Sequence, residues 1–166
     1  MNNVIFLDID GVLNSEKLIT ELYNKKIKEY GNIYNFIDDD IVNKLTYFCK
    51  LYKLNIVLSS SWRYFYFDDT IKNFTKNRYR KLHSLIPYIV GQTPRLYIEK
   101  ENGRYEQLCR GDEIQHYINK YHIENYVILD DDSDILDSQI NHFIHVDYKY
   151  GLTNKNFKQI KNILKL

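Results

Sequence analysis

Apolar residues along the chain fall into two kinds of run. Val4-Ile5-Phe6-Leu7, Asn55-Ile56-Val57-Leu58, Tyr126-Val127-Ile128-Leu129 and Phe143-Ile144-His145-Val146 are short, nearly continuous and rich in β-formers. Such runs predict strands of a parallel sheet covered on both faces. Between them the apolar positions recur at helical spacing. Ile41, Leu45, Phe48 and Tyr52 follow Asp38-Asp39-Asp40, acids placed at the positive end of the helix dipole. Ile114, Tyr117, Ile118 and Tyr121 follow Gly111-Asp112, and Phe157, Ile160 and Leu164 follow a capping Thr153. Residues 14–40 lack a clear period and predict a short helix and a loop over one end of the sheet. Residues 68–90 predict one or two helices and a short strand near Ile89-Val90, which Gly91-Gln92-Thr93-Pro94 breaks. Strands alternating with helices imply right-handed βαβ crossovers. The expected fold is therefore α/β: a three-layer, Rossmann-like parallel sheet with helices on both faces, in one domain over residues 1–166.

The polar residues carry positional information. Three of the apolar strands end in clusters of small oxygen-bearing side chains: Asp8-Ile9-Asp10, Ser59-Ser60-Ser61 and Asp130-Asp131-Asp132. The carboxyl ends of the strands form the ligand crevice in open α/β sheets, so these clusters are expected to converge. Packed carboxylates repel one another, and their pKa values rise unless a cation neutralises them. A hard divalent ion with oxygen ligands fits, and Mg²⁺ suits few carboxylates plus a substrate phosphate. The clusters contain no His or Cys, which argues against zinc. Asp8 and Asp10, two apart on an extended strand, aim the same way, and Gly11 permits a tight turn and close backbone approach. One carboxylate can then attack phosphorus while the other handles the proton of the leaving group.

Asp8-Ile9-Asp10-Gly11-Val12-Leu13-Asn14 behind four apolar residues resembles motif I of the haloacid dehalogenase (HAD) superfamily, an apolar run followed by DxDGxL. Val57-Leu58-Ser59 resembles motif II, and Ile128-Leu129-Asp130-Asp131 the acidic motif IV. For the motif III cation Arg110 is the candidate, with Arg104 and Lys100 as runners-up. Ser60-Ser61-Trp62-Arg63, Gly91-Gln92-Thr93-Pro94, Arg110-Gly111-Asp112-Glu113-Ile114 and Gly151-Leu152-Thr153 are similar to a compact, nearly capless branch of that superfamily, related to phosphatase domains of RNA-repair and polynucleotide kinase-phosphatase proteins.

The resemblance implies a Mg²⁺-dependent phosphomonoester hydrolase with an aspartyl-phosphate intermediate. In that reading Asp8 is the nucleophile and Asp10 the general acid and base. Mg²⁺ is held by Asp8, the backbone carbonyl of Asp10, and Asp131 or Asp130, with Asp134 a further candidate. Ser59, or Ser60 if the strand runs one residue longer, donates to the phosphoryl oxygens, and Arg110 offsets their charge. The short gaps between motifs leave room for little or no cap, so the site is expected to be open. That fits phosphorylated nucleic-acid ends, with a small sugar or nucleotide phosphate as the rival substrate.

Other classes fit less well. A signalling receiver places its phosphorylated Asp on a middle strand, and here that strand ends in serines. A module that binds phosphate or RNA without turnover would not need every catalytic side chain, and all are present. The 44% hydrophobic and 27% charged residues describe a soluble globular chain. A net charge of +1 creates no global field toward nucleic acid or membrane. Neither a leader nor a membrane-length span is visible, and Cys49 and Cys109 lack CxxC spacing, so a cytoplasmic address with reduced thiols is the expectation. Alanine is absent while Tyr reaches 16, a coding bias that lowers the weight of any single Tyr, Lys or Asn. Lys72, Lys76, Arg78, Arg80 and Lys81 with Phe74 and Tyr79 therefore read as a solvated helix face. The histidines show no ligand spacing, and Trp62 and Arg63 either line the substrate entrance or pack at the sheet edge.

Overall fold

The computed structural model describes residues 3–24, 36–63 and 77–166. Its main sheet comprises Val4–Leu7 (β1), Asn55–Leu58 (β2), Ile89–Gln92 (β3), Tyr126–Asp130 (β6) and Phe143–His145 (β7). All are parallel, in the order β3-β2-β1-β6-β7. A second, antiparallel pair, Tyr97–Glu99 (β4) and Tyr105–Gln107 (β5), forms a hairpin after β3.

The continuous apolar runs sit where the sheet is covered on both sides. Every residue of β1 is buried, and alternate side chains serve different layers. Ile5 and Leu7 join one core cluster with Ile41, Leu45 and Phe48 of α2 (Asp39–Tyr52) and Ile160 and Leu164 of the last helix. Val4 and Phe6 join the other with Ile114, Tyr117 and Ile118 of a helix over Arg110–Tyr121. In chain order the helices are α1 (Glu16–Asn24), α2, α3 (Arg110–Tyr121) and α4 (Asn154–Leu164). Thus α2 and α4 cover one face and α3 the other, the three-layer arrangement expected. Each fully buried Leu or Phe contributes about 1.5–3 kcal/mol.

Helix boundaries follow local chemistry. Asp38 caps α2, its Oδ1 accepting from the backbone N–H groups of Asp40 (2.9 Å) and Ile41 (3.1 Å). Ahead of α4, Asn156 Oδ1 accepts from both the backbone N–H and the hydroxyl of Thr153. Three expectations need correction. The helix expected within 68–90 is, over Asn77–Tyr88, a 3₁₀ helix containing Pro87; residues 68–76, with Lys72, Phe74 and Lys76, lie outside the described residues. Gly91 and Gln92 do not break β3 but belong to it. An extra residue at Val90 shifts the register so that Gly91 pairs with Val57. A Cβ on Gly91 would meet the Tyr117 hydroxyl at 2.3 Å, so glycine is what lets α3 close on the strand. Finally, Tyr121, expected on the inner face of α3, is 39% exposed.

Candidate active site

The site follows from the strand alternation. Phe6, Val57 and Ile128 all face α3, so the residues two further on, Asp8, Ser59 and Asp130, face the same way at the carboxyl rim. The ladder continues just far enough to seat them: Asp8 N–H donates to Leu129 (2.9 Å), and Ser59 N–H to Leu7 (3.0 Å). Carboxylate oxygens of Asp8, Asp130 and Asp131 come within 4.8 Å of one another. This all-oxygen donor set, free of thiol and imidazole, suits a hard divalent cation. Gly11, at φ +65°, brings the loop after β1 against the Asp131 carboxylate.

Arg110 completes the cluster. Its Nη1 lies 3.0 Å from Asp8 Oδ1 and 2.6 Å from Asp130 Oδ2. The helix start that carries it is docked on the loop after β6. Arg110 N–H donates to Asp134 Oδ2 (3.1 Å), Gly111 N–H to the Asp134 carbonyl (2.9 Å), and Gln139 Nε2 to the Gly111 carbonyl (2.9 Å). Asp134 therefore serves the N-terminus of α3 and stands outside the carboxylate cluster. The runners-up for the cation lie elsewhere: Lys100 pairs with Glu106 across the hairpin, and Arg104 is exposed at its turn.

Electrostatics follow from this crowding. Burial, reinforced by the Asp8 charge and opposed by Arg110, pushes the Asp130 carboxyl up to about 7. Burial likewise raises Asp8 against the pull of Arg110 and of a hydrogen bond from Ser60, and raises Asp131 together with the Asp8 charge. For Arg110 burial favours the neutral form, but Asp8 and Asp130 outweigh it and hold the guanidinium charged. Three acids that resist ionisation around one cation leave unmet demand for positive charge.

The two serines divide. Ser60 bonds Asp8 through its side chain, whereas Ser59 Oγ is buried with no hydrogen-bond partner among the described residues. Asp10 is exposed beside the cluster, and two N–H donors hold its carboxylate: Trp62 Nε1 to Oδ2 (2.7 Å) and Asn14 Nδ2 to Oδ1 (2.9 Å). Asn14 Oδ1 in turn accepts from Gly11 N–H (2.7 Å). Arg63, 2% exposed, donates to the carbonyls of Ser59 and Ser60 and pairs with Glu113, itself 1% exposed, one turn beyond Arg110. Gln107 of the hairpin donates to the other oxygen of Glu113 (3.2 Å).

Sequence reasoning missed the parts played by Asn14, Glu113 and, for Asp10, Trp62. Glu113 carried a signal, because it falls four residues before Tyr117 on the stripe that α3 buries. Asn14 and Trp62 carried none beyond their closeness to the motifs. His145, given no role, donates from Nε2 to the Asp131 carbonyl (2.8 Å) and so steadies the loop bearing the acids. Cys109 caps α3, its Sγ accepting from Asp112 N–H, and Cys49 is a buried free thiol.

Among the described residues no cap covers this rim, and no helix is long and apolar enough to cross a membrane. No curated protein and no solved structure matches the chain. A family model does: the one described as the HAD domain in Swiss Army Knife RNA repair proteins matches residues 4–157. With the parallel sheet and the acidic rim in place, the chain belongs to that family of HAD-type hydrolase domains.

Proposed function

We propose that this chain is a phosphomonoester hydrolase in which Asp8 is the nucleophile and Asp10 the general acid and base. The observation that supports this most directly is the meeting of Asp8, Asp130 and Asp131 with Arg110 at one rim of the sheet. A carboxylate oxygen of Asp8 forms a bond to phosphorus while the bond from phosphorus to the ester oxygen breaks. Asp10 gives its proton to the departing oxygen. Its carboxylate then takes a proton from water as that water attacks the aspartyl-phosphate, which releases inorganic phosphate and restores Asp8. Arg110, already charged between Asp8 and Asp130, offsets negative charge on the phosphoryl oxygens. Ser59 Oγ, buried with no hydrogen-bond partner among the described residues, is the hydroxyl free to donate to those oxygens, while Ser60 bonds Asp8. Asp8, Asp130, Asp131 and the Asp10 carbonyl would hold Mg²⁺, whose charge satisfies the acids and polarises the phosphoryl group.

A phosphorylated end of a nucleic acid is the proposed substrate. Among the described residues nothing covers the rim, which leaves space for a polymer, and the family is described from RNA-repair proteins. The deciding experiment is release of p-nitrophenol from p-nitrophenyl phosphate with and without Mg²⁺, beside Asp8→Asn. Mg²⁺-dependent release by the wild type and none by the variant is expected. Release without Mg²⁺, or equal release by Asp8→Asn, overturns the mechanism.

A further inference from the structure

We infer that Trp62 is the positioning residue that aims Asp10 at the leaving group. The assignment rests on the reading of Asp10 as general acid.

An exposed carboxylate on a loop needs no partner, because water satisfies it. Asp10 is exposed, yet both its oxygens are occupied by N–H donors. The donor on Oδ2 belongs to a side chain that cannot reorient: Trp62 is 5% exposed, and its indole is wedged into the core cluster that contains Ile9 and Leu13. The shorter of the two bonds to Asp10, at 2.7 Å, is this one. A charge-assisted contact from a fixed indole removes rotamer freedom that a lone Asp side chain would keep.

The turn that carries Trp62 is itself tied down. Trp62 N–H donates to Ser60 Oγ (3.2 Å), and Ser60 also bonds Asp8. Arg63 donates to the carbonyls of Ser59 and Ser60 at the start of that turn and is anchored to Glu113. One stretch, Ser60 to Arg63, thus fixes nucleophile and acid relative to each other: Ser60 holds Asp8, and Trp62 holds Asp10. A carboxyl group offers about four lone-pair directions, so the oxygens that accept from Trp62 and Asn14 retain positions for a proton facing the substrate.

A residue that aims the acid matters most when the leaving oxygen needs a proton. An alkoxide does, whereas p-nitrophenolate departs as a stable anion. The test compares kcat/KM, which reports steps up to leaving-group departure, for glycerol 2-phosphate and p-nitrophenyl phosphate. Wild type, Trp62→Phe and Asp10→Asn are assayed with Mg²⁺, and circular dichroism checks their folding. Trp62→Phe is expected to lose about tenfold or more beyond its loss on the aryl ester when the alkyl ester is the substrate, in the direction of Asp10→Asn. Equal losses on the two esters, or none, overturn the assignment.

Trp62 is the only tryptophan in the chain, which allows a second reading with no change at that position. Asp10→Ala should alter the wavelength or intensity of the intrinsic fluorescence in the folded protein. Superimposable spectra would show that the indole contact is absent in solution and would sink the assignment even if Trp62→Phe fails to fold. A wild type inert toward both esters defeats the phosphatase reading and this role with it, whereas an active wild type with equal losses defeats this role alone.

Discussion

Gly11 sets how closely the loop after β1 approaches the acids. Its φ of +65° disfavours a side chain, and a Cβ there would meet Asp131 Cγ and Oδ2 at 2.3 Å. Gly11→Ala should therefore displace the Asp131 carboxylate and weaken cation affinity about tenfold or more, on the scale of losing a partner that orients a ligand. Titration calorimetry with Mg²⁺ measures it, and unchanged affinity would show that Asp131 is not a ligand. The three acids also make a prediction about pH. A carboxyl whose folded pKa is raised binds its proton more tightly in the folded than in the unfolded chain. Its contribution to stability is complete below the ordinary aspartate value, about 4. It is lost as pH rises through the folded value, about 7 for Asp130. A cation binds the ionised, folded form, so the rise in Tm on adding Mg²⁺ should be larger near about pH 8 than near about pH 5. Equal rises at both values would remove this cluster as the cation site.

Between elements, the buried pair of Arg63 and Glu113 links the turn after β2 to α3 and so sets Ser60 and Arg110 in one frame. Glu113→Ala leaves a buried guanidinium without its carboxylate and should cost about 3–5 kcal/mol in denaturant unfolding. The double change Arg63→Met with Glu113→Leu should recover part of that loss, because neither position then leaves an unpaired buried charge. A loss well under about 1 kcal/mol for Glu113→Ala would place the pair at the surface in solution. The elements that could be read from the sequence are those whose pattern records burial. Val4–Leu7, Asn55–Leu58 and Tyr126–Leu129 announce themselves because both faces of the sheet are covered there, and the α2 stripe because one of its faces is wet. The hairpin does not, since every residue of β4 and β5 is exposed and no alternation marks it. Its signal is Asn102-Gly103 at the turn, where Gly103 has φ +72°. The acidic rim was legible from strand ends and motif spacing. The holders of Asp10 were not, because no periodicity tells which buried indole reaches across 52 positions to a carboxylate.

For the molecule as a whole, what stands over the rim decides what can enter. Among the described residues the insertion between β3 and α3 is a hairpin of two three-residue strands, with Tyr97, Ile98 and Tyr105 exposed. The described residues of the rim give a small ester few contacts beyond its phosphate, whereas a polymer end can use the surrounding surface. Phosphorylated oligonucleotides should therefore exceed small phosphate esters in kcat/KM by about tenfold or more, and the reverse preference would assign the protein to metabolite chemistry. The place of β1 within the sheet bears on how the protein is made. Of the strands described, β1 comes earliest in the sequence yet ends in the middle, with Val4 beside Asn55 on one flank and Tyr126 on the other. Its second neighbour is synthesised about 120 residues later, a separation typical of slow, topology-limited closure. Throughout that interval the nascent chain carries a half-finished sheet with one hydrogen-bonding border open, and Asp8 waits there without Asp130 and Asp131. The acidic rim can assemble only after β6 has been made, and a chain truncated before β6 would present a sticky strand edge in place of that rim.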